Sequence, residues 1–168
     1  PLTLSDDRLD YILGRLRAMP HIEIFRMGSR NMVTLPQRVT RDFTNMLRKH
    51  QPMFFHTHFN HPNEATGFSQ DAARVLHERG IFVRNQSVLQ RGVNDSYETQ
   101  VMLARRLSYM NVHAYYVYVH DLVKGVETLR TTVSTAIKLE KRLRGSQAGF
   151  NTPTFVVDAL GGGGKRDA

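Results

Sequence analysis

Short apolar runs alternate with amphipathic stretches along nearly the whole chain. Leu9, Ile12, Leu13 and Leu16 recur at helical spacing behind Ser5, a capping residue type, with Asp6 and Asp7 in the first turn where the helix dipole favours acids. Residues 22–25 read as a strand, followed by a turn of Arg26, Met27, Gly28, Ser29 and Arg30 that carries two cations. Thr40 caps a predicted helix over 41–49, and 53–57 reads as a buried strand that leads into a loop over 58–64. The pattern then repeats. Residues 69–79 form a predicted helix stopped by Gly80, and 81–89 a strand-like run interrupted by Arg84, Asn85 and Gln86. Asn94 or Asp95 opens a helix through Tyr109, 114–119 is a strand, and 134–144 is a helix stopped by Gly145. The last apolar run, 154–157 between Pro153 and Gly161, is β-branched and aromatic throughout, as in a strand covered on both faces.

Strands alternating with helices about every thirty residues imply β-α units, a parallel sheet and right-handed crossovers. The expected fold is α/β, a partial TIM-like (β/α) barrel. Its five predicted strands are only part of an eight-stranded one. No linker interrupts the 168 residues, which are read as a single domain. Polar residues gather where the strands end: Ser29 and Arg30; His56, His58 and His61; Asn85 and Gln86; Tyr118, His120 and Asp121; Asp158 and Lys165. In a barrel those ends share one mouth, where sites are assembled.

Composition narrows the partners. Hydrophobic residues make up 40% and no apolar run approaches the roughly 20 residues of a membrane span, so neither a membrane anchor nor a signal peptide is read here. The net charge of +8 is spread among acids without a basic tract, which argues against nucleic acid. There is no cysteine, so the chain makes neither a disulfide nor a thiolate metal site by itself; a reducing compartment is compatible with this.

Several residues carry chemistry in more than one reading. His56 and His58 form an H-x-H pair that points to one side of a strand, and with Asp158 they make a possible zinc site; the plainer reading is one hydrogen-bonded histidine and one solvated one. Asp121 and Asp158 serve as acid-base partners, as ligands for a substrate cation, or as ion-pair partners of Lys124 and Arg130. Tyr115, Tyr116 and Tyr118 read as packing, with Tyr118 able to reach the mouth, and Met102 and Met110 as core fillers. Lys165 follows the glycines 161–164. A P-loop is excluded, because Ala159 stands where its first glycine belongs and Arg166 where its hydroxyl belongs. A solvated lysine on a flexible linker and a Schiff-base lysine for an aldehyde cofactor both stay open.

Four strings, THFNHPNE (57–64), NQSVLQRGVND (85–95), YYVYVHDLVKG (115–125) and PTFVVDALGGGGK (153–165), together resemble the lysine 2,3-aminomutase family of radical S-adenosylmethionine enzymes. The opening PLTLSDD resembles the sequence that follows the GGD of that family's GGDP motif, so the likeness runs in order along essentially the whole chain. The resemblance implies a radical-SAM barrel and an exchange of an amino group between the α and β carbons of an amino acid. It also implies three cofactors: S-adenosylmethionine, a 4Fe-4S cluster that cleaves it, and pyridoxal phosphate that holds the substrate. By motif match Lys165 carries the pyridoxal phosphate, and Asp121 and Asp158 bind the distal ammonium of lysine. Tyr118, Gln86 and His58 line the S-adenosylmethionine and radical region, with Asn85 and Ser29 beside them.

Two carboxylates suit a cationic substrate, because an ammonium between them is paired while either acid alone is costly to bury. Lysine, giving L-β-lysine, is therefore the expected substrate; arginine also satisfies the pair, and glutamate-specific relatives replace it. The family's CxxxCxxC motif and nearby arginines would lie before Pro1. The chain is thus expected to be a C-terminal portion of the barrel, truncated at both ends and unable by itself to make the radical. Smaller departures are His120, where relatives can have cysteine, and Leu160, where PGGGGK is usual. The implied partners are a small amino acid and an external one-electron reductant, with a homo-oligomer as the expected assembly of the longer protein and the cytoplasm as its location. Competing expectations are a zinc-dependent barrel hydrolase using His56, His58 and Asp158, and a non-catalytic remnant.

Overall fold

Capping side chains place most of the helices. In a computed structural model, which describes residues 1–159, 161 and 163–168, the Ser5 hydroxyl accepts from the Arg8 amide at 3.3 Å and opens α1 (Asp6–Arg17). Thr40 does the same for α3 (Arg41–Arg48), Thr66 for α4 (Gly67–His77), Ser96 for α5 (Tyr97–Tyr109) and Thr132 for α6 (Val133–Arg144), each oxygen satisfying an amide that the first turn leaves without a partner. A four-residue helix, α2 (Asn31–Thr34), has no side-chain cap and was not evident in the sequence pattern.

The strands are β1 (Phe25–Gly28), β2 (Met53–Thr57), β3 (Phe82–Leu89), β4 (His113–Val119), β5 (Thr154–Ala159) and β6 (Gly164–Asp167). They form one six-stranded sheet in the order β1-β2-β3-β4-β5-β6, parallel through β5. Two expectations are corrected. The first strand is displaced from 22–25 to 25–28, because Phe25 and Met27 are the buried members of an alternating pair while Ile24 is 61% exposed. There is also a sixth strand, antiparallel to β5, where only glycines and a lysine were read. Gly161 (φ 77°) and Gly164 (φ 68°) take left-handed conformations at this hairpin, which residues with a Cβ adopt only at a cost. Leu160 and Gly162 of the motif singled out in the sequence lie outside the described residues.

Helices cover one face of the sheet. Val83 of β3 packs there with Phe43, Leu47, Phe55, Leu76 and Leu107, and a second cluster joins Leu89, Val117, Leu139, Leu143 and Phe155. Each fully buried large side chain contributes about 1.5–3 kcal/mol, and this apolar face holds the sheet in place. Residues paired across a ladder share a face, so register assigns the other, open face: Arg26 and Gly28; Phe54 and His56; Phe82, Arg84, Gln86 and Val88; Tyr116 and Tyr118; Val156 and Asp158; Lys165. The ladder between β3 and β4 slips between Asn85 and Gln86, leaving Tyr115 unpaired as a bulge beside Tyr116, with ring centroids 3.8 Å apart. A hydrogen bond with Tyr115 that favours the protonated form, helped by burial, pushes the Tyr116 hydroxyl up to about 12. Among the described residues no helix is long and apolar enough to cross a membrane.

Candidate active site

Four strands, β1 to β4, border a cleft of about 400 Å³ on the open face, lined by Gly28, Ser29, Arg30, His56, Thr57, His58, Gln86, Val88 and Tyr118. The backbone at Ser29 continues the β1–β2 ladder by donating to the His56 carbonyl at 2.9 Å, and the Ser29 hydroxyl is tied to Asn31. Arg30 pairs with Glu64 at 2.6 Å. The other Glu64 oxygen accepts from the Asn60 and His61 amides, so one carboxylate closes the loop after β2 and holds its neighbouring cation. Gln86 reaches across to β4, where its Nε2 donates to the Tyr118 hydroxyl at 3.2 Å.

Both histidines of the H-x-H pair line this cleft, and both titrate below their ordinary range. For His56 burial is the main cause, followed by the Arg26 and Arg84 guanidiniums, while a hydrogen bond with the Gln86 side chain opposes them. For His58 burial again leads, followed by Arg30, with Glu64 and an Asn60 hydrogen bond opposing. Among the described residues, His56 Nδ1 and His58 Nε2 are buried without a partner. His77 and His113 are also lowered, chiefly by burial. Histidines that resist protonation in the folded state but accept it when unfolded destabilise the fold in acid. Folding free energy is therefore expected to hold above the ordinary histidine value of 6.5 and to fall as pH drops from there toward the lowered folded values. Urea unfolding at pH 7.5 and 5.5 measures this, and His58→Gln should flatten the difference.

The second half of the site is the β5–β6 hairpin. Asp158 and Lys165 are direct ladder partners, and Lys165 Nζ lies 3.9 Å from Asp158 Oδ1, with the two side chains 39% and 47% exposed. The same ammonium sits 5.5 Å from the centre of the Tyr118 ring. Burial raises the Tyr118 hydroxyl, and Lys165 pulls it back down. Asp121 is exposed in the loop after β4, where His120 Nδ1 bonds the Asp121 carbonyl at 2.6 Å. Among the described residues its carboxylate makes no hydrogen bond or ion pair. Asp121 lies three residues past Tyr118 and Asp158 two past Val156, and those two residues are paired in the ladder, so the acids stand at the ends of adjacent strands.

Not every sequence expectation survives this placement. Asn85 belongs to the helix-covered face: its Oδ1 accepts from the Phe59 amide at 2.6 Å and its Nδ2 donates to the Phe59 carbonyl at 3.0 Å. Both ends of that amide are therefore spent on the chain, and Asn85 orients the loop that carries His58 rather than touching the cleft. His56, His58 and Asp158 do not assemble as zinc ligands; among the described residues no three His, Cys, Asp or Glu side chains are grouped to hold a metal. Asp158 pairs with Lys165, not with Lys124 or Arg130. Arg84, expected only to interrupt its strand, has its guanidinium 4.8 Å from the Phe54 ring and 4.9 Å from the Tyr115 ring, and Arg26, expected in a turn, lies within β1. The two-residue period that joins Arg84 to Phe82 and Gln86 was the available signal.

Over 164 residues the chain is 49% identical to the L-lysine 2,3-aminomutase of Clostridium subterminale, which covers 98% of this chain and 39% of that protein. It is 40% identical to the glutamate 2,3-aminomutase of Clostridioides difficile over the same length. The chain thus spans about two fifths of the length of the curated relatives it matches. The Streptococcus suis protein SuiB, in a crystal structure bound to S-adenosylmethionine, aligns with 94% of this chain and 44% of its own at a TM-score of 0.55 and 11% identity, a likeness of fold. No protein-family model matches the chain.

Proposed function

We propose that this chain, a member of the lysine 2,3-aminomutase family over the 164 residues aligned, forms part of a radical S-adenosylmethionine aminomutase. In a longer polypeptide it would move the α-amino group of L-lysine to the β carbon, giving L-β-lysine. The observation that carries this reading is the hairpin: a primary amine and a carboxylate opposed on the open face at the sheet's carboxyl end, beside the Tyr118 ring.

The residues fit two of the family's three cofactors. Lys165 offers an accessible amine whose one ion pair among the described residues is long and half exposed, a pairing worth at most about 1 kcal/mol and readily given up to an aldehyde. Beside it the cleft presents His58, Gln86, Tyr118 and Ser29, and the unpartnered His58 nitrogen suits a ligand rich in hydrogen-bonding groups, as S-adenosylmethionine is. When bound, pyridoxal phosphate supplies an electrophilic carbonyl on a conjugated ring and S-adenosylmethionine the 5′-deoxyadenosyl group. The 4Fe-4S cluster does not fit this chain, which has no cysteine to ligate it. The cluster and the external reductant that serves it are assigned to the rest of the longer protein, and this chain alone is expected to be inactive.

Within that division of labour, Asp121 and Asp158 hold the distal ammonium of the substrate, which suits lysine or arginine and repels the second carboxylate of glutamate. Tyr118 walls the reacting region, with its hydroxyl fixed by Gln86. Asn85 contributes by orienting the loop of His58. A homo-oligomer in the cytoplasm is the setting we infer for the whole protein.

The test is covalent. Incubating the full-length polypeptide with pyridoxal phosphate, reducing with borohydride and mapping peptides by mass spectrometry should place the label on Lys165, and Lys165→Ala should abolish it. A folded protein labelled elsewhere, with Lys165 clean, would sink the reading.

A further inference from the structure

The loop between β4 and α6 (120–132) holds groups that the reaction does not use. With the loop after β3 it walls a cavity of about 500 Å³, whose lining includes Arg91, Glu127, Arg130, Thr131 and the opening of α6. The Arg91 amide ties the two loops by donating to the Leu129 carbonyl at 2.8 Å, and the Arg130 amide closes a turn on the Glu127 carbonyl at 3.1 Å. Both arginine side chains are exposed, and among the described residues neither guanidinium makes a hydrogen bond or an ion pair. Arg130, read in the sequence as a partner for an acid, is left over because Asp158 pairs with Lys165.

Two further observations point to what the cavity takes. Thr131 is 5% exposed, and among the described residues its buried hydroxyl has no partner. Valine has the same shape and would avoid the cost of an unsatisfied hydroxyl, so a threonine here is poorly explained by packing. The opening turn of α6, a helix of 12 residues, also has donors to spare. Its Thr132 hydroxyl accepts from the Thr135 amide at 3.1 Å, while the Val133 and Ser134 amides meet no acceptor among the described residues. Guanidiniums, a hydroxyl and a helix N-terminus together suit an oxyanion. The acid in the lining, Glu127, already accepts from the Gly125 amide at 2.9 Å.

We propose that this cavity is a site for a phosphate-class oxyanion: Arg91 and Arg130 clamp the anion from the two loops, and the Thr131 hydroxyl and the α6 N-terminus donate to it. With two full cations against a single acid, a doubly charged phosphate is drawn in more strongly than a carboxylate at the same distance. Bound there, it would cross-link the loops that follow β3 and β4. None of these residues is assigned to the amino acid or to its cofactors, so the inference stands apart from the aminomutase reading.

Inorganic phosphate titrated into the full-length polypeptide by calorimetry, at constant ionic strength, should bind saturably with a dissociation constant of about 1 mM or below. Arg91→Gln and Arg130→Gln, both surface changes, should each weaken binding about 10-fold or more, as for loss of one charge-assisted contact. Thr131→Val should weaken it about 3- to 10-fold without lowering the unfolding midpoint, a split that a packing role would not give. Glu127→Gln, which removes the opposing charge, should tighten it. Repeating the titration after pyridoxal phosphate has been fixed with borohydride separates two sources of the same chemistry. Unchanged binding identifies a free phosphate, and blocked binding places the cofactor's own phosphate in the cavity; either upholds the site. If Thr131→Val does not fold, the two arginine variants carry the test. No saturable binding below about 10 mM phosphate, or wild-type affinity in either arginine variant or in a folded Thr131→Val, would overturn the site and leave the aminomutase reading untouched.

Discussion

Asn94→Ala is expected to destabilise the fold by about 3–5 kcal/mol, the largest effect of any single polar substitution proposed for this chain. Asn94 is fully buried between the loops that follow β2 and β3. Its Oδ1 accepts from the Gln90 amide at 2.7 Å, and its Nδ2 donates to the Asn60 and Val88 carbonyls, both at 2.8 Å. Its own carbonyl takes the Gln100 amide at 2.7 Å, and the Asn60 side chain accepts from the Val88 amide at 2.9 Å. Alanine would leave a buried amide and two buried carbonyls short of a partner, each costing roughly 1–3 kcal/mol before any water enters. Urea unfolding of wild type and variant measures the difference. A loss below about 1 kcal/mol would mean that water replaces the side chain fully and that the loops are not tied through it.

Replacing either acid should strike activity rather than stability. In the full-length polypeptide, Asp121→Asn and Asp158→Asn are each expected to lower kcat/KM for L-lysine about 10- to 100-fold, as for loss of one charge-assisted hydrogen bond to a cation. Both carboxylates are exposed, so unfolding midpoints should barely move. If one ammonium is shared between them, the double variant should lose less than the product of the single losses. Steady-state kinetics with lysine, arginine and glutamate provides the comparison, and equal losses for glutamate would contradict an ammonium-binding role.

Much of this arrangement was legible because it is written in period and punctuation. Thr40 announced its helix, and the apolar run beginning at Thr154 announced β5. What stayed hidden has physical causes. β6 reads Gly-Lys-Arg-Asp, with no buried side, and is held by its ladder to β5 alone. β1 carries Arg26 on the open face, so a charge that signals a turn in most sequences sits inside a strand. Asn94 looked like a helix cap, yet Ser96 performs that task, which leaves Asn94 free to tie two loops. Asn85 and Gln86 looked like equal members of one polar cluster. Alternation sends them to opposite faces, one to hold Phe59 and the other to meet Tyr118.

The hairpin that joins Asp158 to Lys165 also works as a caliper. Opposed residues of an antiparallel ladder have Cα atoms about 4.5–5.5 Å apart whatever their side chains do. The jaw opening between acid and amine is thus cut by the backbone, and only side-chain torsions adjust it. Under the roles proposed for Lys165 and Asp158, the separation between the cofactor's anchor and the ammonium's acid is therefore fixed by the strand pairing, and a longer or shorter side chain at either position would change it while the fold stayed as it is.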